Sequence, residues 1–354
     1  MRIISFILFF IGLCDSSYSR TWFASMEQLE NSTPLSPFNN MRKYADDSTG
    51  KYSFIVSGHF HGSSNNLSGF PAASLLANLE RINNMGVVFV ASTGDLFLDI
   101  EKDIPNYEMA LFNKLTAPLF NAVGNHDVSG KIYDKNFGDP FARFTLRSEL
   151  FIFLDTERDN GSIKNEQLEF LKHISSAEKN VFIFSHRPIW AEEDEEMKDF
   201  FLDNTRSEFG NNFKNEVEPL LIEAAKTKNI YWFSGSLGNA PASFFYHKDE
   251  HGITYIQSAI RDLPRDAMLK VNVDNGKVSF ETFSLNSNKV EPLEYYNIDY
   301  WKKHYKVKPP FNFRLVPLYV KNTVTHRYYW YGIASCMFGV LVVWLIMRRR
   351  KKKK

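Results

Sequence analysis

Five apolar runs in this chain each end in a short polar loop rich in histidine, aspartate or asparagine. They are "YSFIVSGHFHG" (52–62), "VVFVASTGDLF" (87–97), "PLFNAVGNHDV" (118–128), "VFIFSHRP" (181–188) and "IYWFSGSLGN" (230–239). Short runs of Val, Ile, Phe and Tyr bounded by Gly, Ser and Asn read as buried strands. A further strand is expected at 149–156. Between the runs, "PAASLLANLERINN" (71–84), "NYEMALFNKL" (106–115), "NEQLEFLKHI" (165–174) and the stretch 214–227 read as helices. From about 240 to 285 the chain reads as successive antiparallel hairpins. Strands joined by helices, followed by hairpins, predict an α/β fold: a two-sheet αββα sandwich with outer helices. In such sheets the loops after the strands gather at one edge, where ligands bind.

The two ends have their own character. "MRIISFILFFIGLCDSSYSR" has a basic residue, an apolar run from Ile3 to Leu13, then small polar residues. This fits a secretory signal peptide over 1–19, with a retained anchor as the alternative. Tyr328 to Met347 is twenty residues without a charge, beginning with an aromatic belt of Tyr328, Tyr329, Trp330 and Tyr331 and followed by seven basic residues. At ~1.5 Å per residue this spans the hydrocarbon core of a bilayer. The basic tail, 348–354, then belongs in the cytosol and the rest of a single-pass type I protein outside it. The remaining boundaries are an N-terminal segment over 20–49, a main domain over 50–287 and a membrane-proximal stalk over 288–327. The stalk's alternative is packing against the domain.

Excluding the signal and the tail changes the charge balance. Losing Arg2 and the seven tail residues takes Lys+Arg from 42 to 34, and losing Asp15 takes Asp+Glu from 41 to 40. A domain near −6 lacks the basic excess of a nucleic-acid groove, so no nucleic-acid partner is expected. Both cysteines lie in the end segments, so the domain is held together without disulfides.

The strand-end loops carry His59, His61, Asp95, Asn125, His126, Asp127 and His186. Imidazole, amide and carboxylate groups converging at one sheet edge suit a divalent transition metal. The ordered set "HFH", "GD", "GNHD" and "SH" resembles the calcineurin-like metallophosphoesterase superfamily over roughly residues 50–285. That resemblance implies a hydrolase acting on phosphate esters through one or two divalent ions (Zn, Fe or Mn). It implies Asp95 as the carboxylate shared by two metals, and His61, Asn125 and His186 as further ligands. His126 is implied as the histidine facing the substrate phosphate, with Asp127 orienting its imidazole from behind. Two departures mark the chain as divergent. His59 stands where the family has aspartate, and is expected to act as a ligand beside His61. Ser236 and Gly238 stand where the family has the two histidines of G-H-x-H. The expected function is a membrane-anchored phosphoesterase, with lipid-linked and glycan-linked phosphates among the candidate substrates. The alternative is a non-catalytic binding or scaffold protein on the same fold. A bacterial envelope and a eukaryotic endoplasmic reticulum both fit the topology, the terminal "KKKK" resembling a dilysine retrieval signal.

Overall fold

The computed structural model describes residues 31–45, 50–128, 130–174, 179–201, 210–237, 240–305, 316–325 and 327–351. The expected signal peptide, residues 306–315 of the expected stalk, Gly238 and the last three lysines lie outside the described residues. The chain forms two compact units, residues 1–305 and 306–354.

The first unit is built on strands β1 (Lys51–Ser57), β2 (Val90–Ser92), β3 (Leu119–Asn121), β4 (Ala142–Leu146), β5 (Glu149–Phe153) and β6 (Asn180–Ser185). They are followed by β7 (Asn229–Ser234), β8 (Phe244–Lys248), β9 (Thr254–Ser258), β10 (Ala267–Asp274) and β11 (Lys277–Ser284). One sheet has the order β11-β10-β1-β2-β3 and the other β4-β5-β6-β7-β9-β8. β1, β2 and β3 run parallel, as do β5, β6, β7 and β9, so their carboxyl ends open toward shared edges.

Strand alternation sorts the side chains into three cores. On β5, Phe151 and Phe153 enter the layer between the sheets, while Leu150 and Ile152 enter the outer layer on the other face. Helices α1 (Ala73–Ala77), α2 (Leu79–Asn84) and α3 (Ile100–Tyr107) cover the outer face of the first sheet. After α4 (Ile132–Phe137), helices α5 (Asn165–Lys172) and α6 (Glu218–Ala225) cover the second.

Of the chain's 32 phenylalanines, ten are buried in the layer between the sheets. Phe151 pairs with Phe182, Phe153 with Phe184, and Phe184 with Phe233 as direct cross-strand neighbours. Their rings stack with interplanar angles of 20°, 15° and 14°. From the opposite sheet, Phe54 and Phe89 meet Phe151 edge-on, at 83° and 90°. Such pairs add about 0.5–1.5 kcal/mol each beyond buried area.

The expected strands all form, and β4 is an addition that the sequence reading missed. The helix expected over 71–84 is broken at Asn78, whose side-chain amide donates to the carbonyls of Ser74 and Leu285 instead of facing solvent. The helix expected from 106 starts earlier, at Ile100, runs through Pro105 and closes with a turn of π-helix over Glu108–Phe112. The hairpins divide between the sheets, β8–β9 extending one and β10–β11 the other.

The expected stalk is corrected. Residues as far as Tyr305 belong to the first unit. Helix α7 (Ile298–His304) starts on Asn297, whose side chain accepts a hydrogen bond from the Tyr300 backbone N–H. Trp301 is fully buried, and its indole N–H donates to the Phe244 carbonyl at 3.0 Å. An aromatic segment with an amphipathic turn of helix finds apolar surface on the domain itself.

The second unit contains α8 (Val316–Thr325) and α9 (Arg327–Lys351). The stretch Arg327–Arg349 of α9 is long and apolar enough to cross a membrane.

Candidate metal centre

The loops after β1, β2, β3 and β6 meet around one carboxylate. His59 Nε2, His61 Nε2 and His186 Nε2 lie 3.6, 3.8 and 3.5 Å from Asp95 Oδ2. His59, His61, Asp95 and His186 are buried, while His126 is half-buried and Asn125 exposed.

Backbone conformation places these groups. His59 and Asp95 both adopt left-handed φ, +56° and +54°. Such a backbone costs a non-glycine residue on the order of 1–3 kcal/mol and persists only where the surroundings enforce it. Here the His59 N–H donates to the Gly94 carbonyl, and the Gly62 N–H donates to the His59 carbonyl. The His126 N–H donates to Asp95 Oδ1 at 3.1 Å. Gly94, at φ +92°, allows the close approach, since a β-carbon there would lie 2.4 Å from His186 Nδ1. His59 and His61 therefore converge through a turn after the strand ends at Ser57, not through the strand alternation that their spacing suggests.

Two trios have ligand atoms close enough together to hold an ion: His59, Asp95 and His186; and His61, Asp95 and His126. Asp95 is common to both. The grouping differs from the expected one, in which His59 and His61 share a cation. It also draws His126, expected to face substrate, next to the ligand set. Asn125 lies on the same turn, between Gly124 and His126, whose backbones crowd Asp95.

The donor set fits a transition metal. His59 Nδ1 and Nε2, His61 Nδ1 and Nε2, and His186 Nε2 are buried with no hydrogen-bond partner. Each such orphan costs about 1–3 kcal/mol if left alone. Several imidazole nitrogens and a carboxylate are the ligands that zinc, iron or manganese takes. Burial drives the His59 imidazole well below its ordinary range, against the pull of Asp95, which keeps it neutral and able to donate a lone pair. Burial would raise Asp95, but the surrounding histidines, His186 foremost, hold it well below the usual carboxylate range.

Partners on the far side of the rings fix which nitrogen faces inward. His186 Nδ1 is 3.0 Å from the Thr93 carbonyl, and His126 Nδ1 is 3.0 Å from the Leu98 carbonyl. A carbonyl only accepts, so both Nδ1 atoms carry hydrogen and both Nε2 atoms are left for chemistry. The role expected of Asp127 is corrected here. Its carboxylate accepts from the Phe97 N–H, the Gly124 N–H and the Asn121 side-chain amide, all within 3.0 Å. Asp127 thus ties the "GD" and "GNHD" loops together, and the Leu98 carbonyl orients His126. Burial, with the charge of Asp95, pushes Asp127 up to about 6.

A family model described as calcineurin-like phosphoesterase matches residues 67–214. The match contains "GD", "GNHD" and "SH", the three loops that carry Asp95, Asn125, His126 and His186. Residues 67–214 are a calcineurin-like phosphoesterase domain. His59 and Ser236, outside the matched residues, are both buried. Ser236 donates its backbone N–H to the His186 carbonyl. Among solved structures, the chain is similar to a purple acid phosphatase from yellow lupin (Lupinus luteus) seeds. The identity is 12% and the TM-score 0.43, covering 72% of this chain and 57% of the lupin chain. It is also similar to a Thermotoga maritima protein solved by NMR, at 10% identity and TM-score 0.31, covering 66% of this chain and 99% of that one. No curated protein matches the sequence.

Sequence reasoning did not find Thr93 and Leu98, because they act through backbone carbonyls that any residue carries. Arg261 was also missed. Its guanidinium feels the charge of Asp95, and its backbone sits two residues beyond Ala259, which bridges Gly58.

Proposed function

We propose that this metallophosphoesterase is a membrane-anchored hydrolase of phosphate esters, with its domain outside the cytosol. The observation that carries the reading is the set of five orphaned imidazole nitrogens packed around Asp95. A divalent cation bound there would supply Lewis-acid polarisation of the phosphate and a water made nucleophilic near neutral pH. His59, His61, Asp95 and His186 would hold it, with Asn125 completing the set from the exposed turn. His126, half-buried and held by Leu98, offers Nε2 to exchange a proton with the leaving oxygen.

The test is hydrolysis of a generic aryl phosphate by the full chain in detergent, supplied with Mn or Zn. Turnover should vanish on chelation. His126→Ala should lower it by about 10²–10⁴-fold while leaving the metal content unchanged. Loss of metal in that variant would make His126 a ligand instead of an acid.

A second reading is favoured by Ser236, which is buried, lacks an imidazole and bonds to the His186 backbone. On that reading the fold serves as a metal-stabilised binding module. A fully metal-loaded protein that turns over no faster than His126→Ala would establish it.

Orientation is tested separately. In sealed vesicles with their cytosolic face outward, added protease should remove a C-terminal tag and spare the domain. A protected tag with a digested domain would refute the topology.

A further inference from the structure

Away from the metal centre, a recess of about 330 Å³ lies between the start of β8, the loop before β10 and the segment leading into α7. Its walls include Ser243, Phe244, Arg265, Lys289, Tyr296 and Tyr300. The volume is within the range of small-molecule sites and larger than a bare phosphate or carboxylate needs.

Arg265 is the unusual member. Among the described residues no carboxylate lies within ion-pair distance of its guanidinium. Its side-chain hydrogen bond is a long one, 3.5 Å, to the Ser243 hydroxyl. Burial acts against its charge, yet an arginine keeps its proton in any protein setting. The nearest acid in sequence, Asp266, is fully buried and engaged elsewhere. Its carboxylate accepts from the Arg261 backbone N–H at 3.1 Å and from the Ser74 hydroxyl at 3.2 Å. Lys289 is neutralised by Glu291 at 2.7 Å. The recess therefore holds a half-buried arginine whose charge is offset by Asp266 at a distance, with no direct ion pair.

The opposite wall is aromatic. Tyr296 and Tyr300 stand with ring centroids 5.2 Å apart at 79°, and Phe244 is fully buried behind them. A planar fork of N–H donors beside the half-exposed ring of Tyr300 and the buried ring of Tyr296 suits a ligand with two parts: an oxyanion for the guanidinium and a flat or apolar body for the rings.

We infer that this recess is a binding site for an organic oxyanion, a phosphoryl or carboxyl group carried on an aromatic or apolar body, with Arg265 as its anchor. The site is distinct from the metal centre but linked to it through the sheet. The Ala259 N–H donates to the Ser243 carbonyl, and Ala259 bridges Gly58, the residue before His59. Two strand spacings of about 4.8 Å separate the recess wall from the metal loop.

The probe is phenylphosphonate, which carries both parts and has no ester bond to hydrolyse. Its binding to the full chain in detergent is measured calorimetrically after chelation of metals, against inorganic phosphate and phenol as separate halves. Phenylphosphonate should bind more tightly than either half, and binding should survive chelation. Arg265→Gln should weaken it by about 10-fold or more, the scale of a lost charged hydrogen bond. Tyr300→Ala should weaken phenylphosphonate while leaving inorganic phosphate unchanged, and it decides the matter if Arg265→Gln does not fold. Phenyl carboxylate in place of the phosphonate separates the two oxyanion sources. Binding that disappears with the metal, or that is the same in both folded variants as in the wild type, would overturn the inference.

Discussion

Asp95→Ala is expected to abolish divalent-metal binding. Its carboxylate is the common member of both trios, and three imidazole nitrogens lie within 3.8 Å of one of its oxygens. Loss of an outer partner of a metal ligand costs about 10–100-fold in affinity. Loss of a shared ligand should cost more than about 100-fold. His59→Ala should reduce affinity less, since His61, His186 and Asp95 remain. The two variants are compared by competition against a chromophoric chelator, with Zn and with Mn. Imidazole in place of carboxylate at 59 favours the borderline metals, so His59→Asp should shift preference from Zn toward Mn. Equal affinity of His59→Ala and wild type would make His59 a bystander, and the "HFH" loop a remnant of a metal site.

Trp301→Ala is expected to destabilise the domain by about 3–5 kcal/mol, the usual cost of emptying a buried tryptophan site. Trp301 is fully buried and touches the rings of Phe200, Phe201, Phe245 and Tyr305, at centroid distances of 5.7, 5.3, 5.2 and 6.0 Å. Its removal also leaves the Phe244 carbonyl without its donor. The measurement is urea unfolding of the full chain in detergent, followed by tyrosine fluorescence. A change below about 0.5 kcal/mol, the scale of an ordinary surface substitution, would mean that α7 is a spacer and not a wall of the domain.

The legible part of this protein was the order of its strand-end loops. Asp95, His126 and His186 each follow a buried strand, and a parallel sheet delivers such loops to one edge whatever the helices do between them. The same logic failed for details set by single residues. Nothing in "GHFHG" announces that His59 takes a left-handed backbone, so strand alternation could not say that His59 and His61 fall in different trios around Asp95. Asp127 looked like a partner of the adjacent imidazole, but its three N–H donors come from the "GD" and "GNHD" loops and Asn121, which only the folded chain brings together. A run such as "ELFIF" is buried on both faces, so periodicity cannot say that Phe151 and Phe153 face the other sheet. The aromatic segment 295–305 suits a bilayer surface and a protein surface equally by composition. Its docking depends on shape, with Trp301 entering a pocket of rings. The recess around Arg265 left no sequence signal, because its residues come from three separate stretches.

The central claim is that the cluster around Asp95 is a working metal site and not a vestige. Elemental analysis of the full-length protein, purified in detergent after growth with Mn, Fe and Zn, tests it most directly. Bound metal should reach about one equivalent or more, and Asp95→Ala, which removes the carboxylate common to both trios, should carry none. Wild-type protein that carries no more metal than Asp95→Ala would contradict the account.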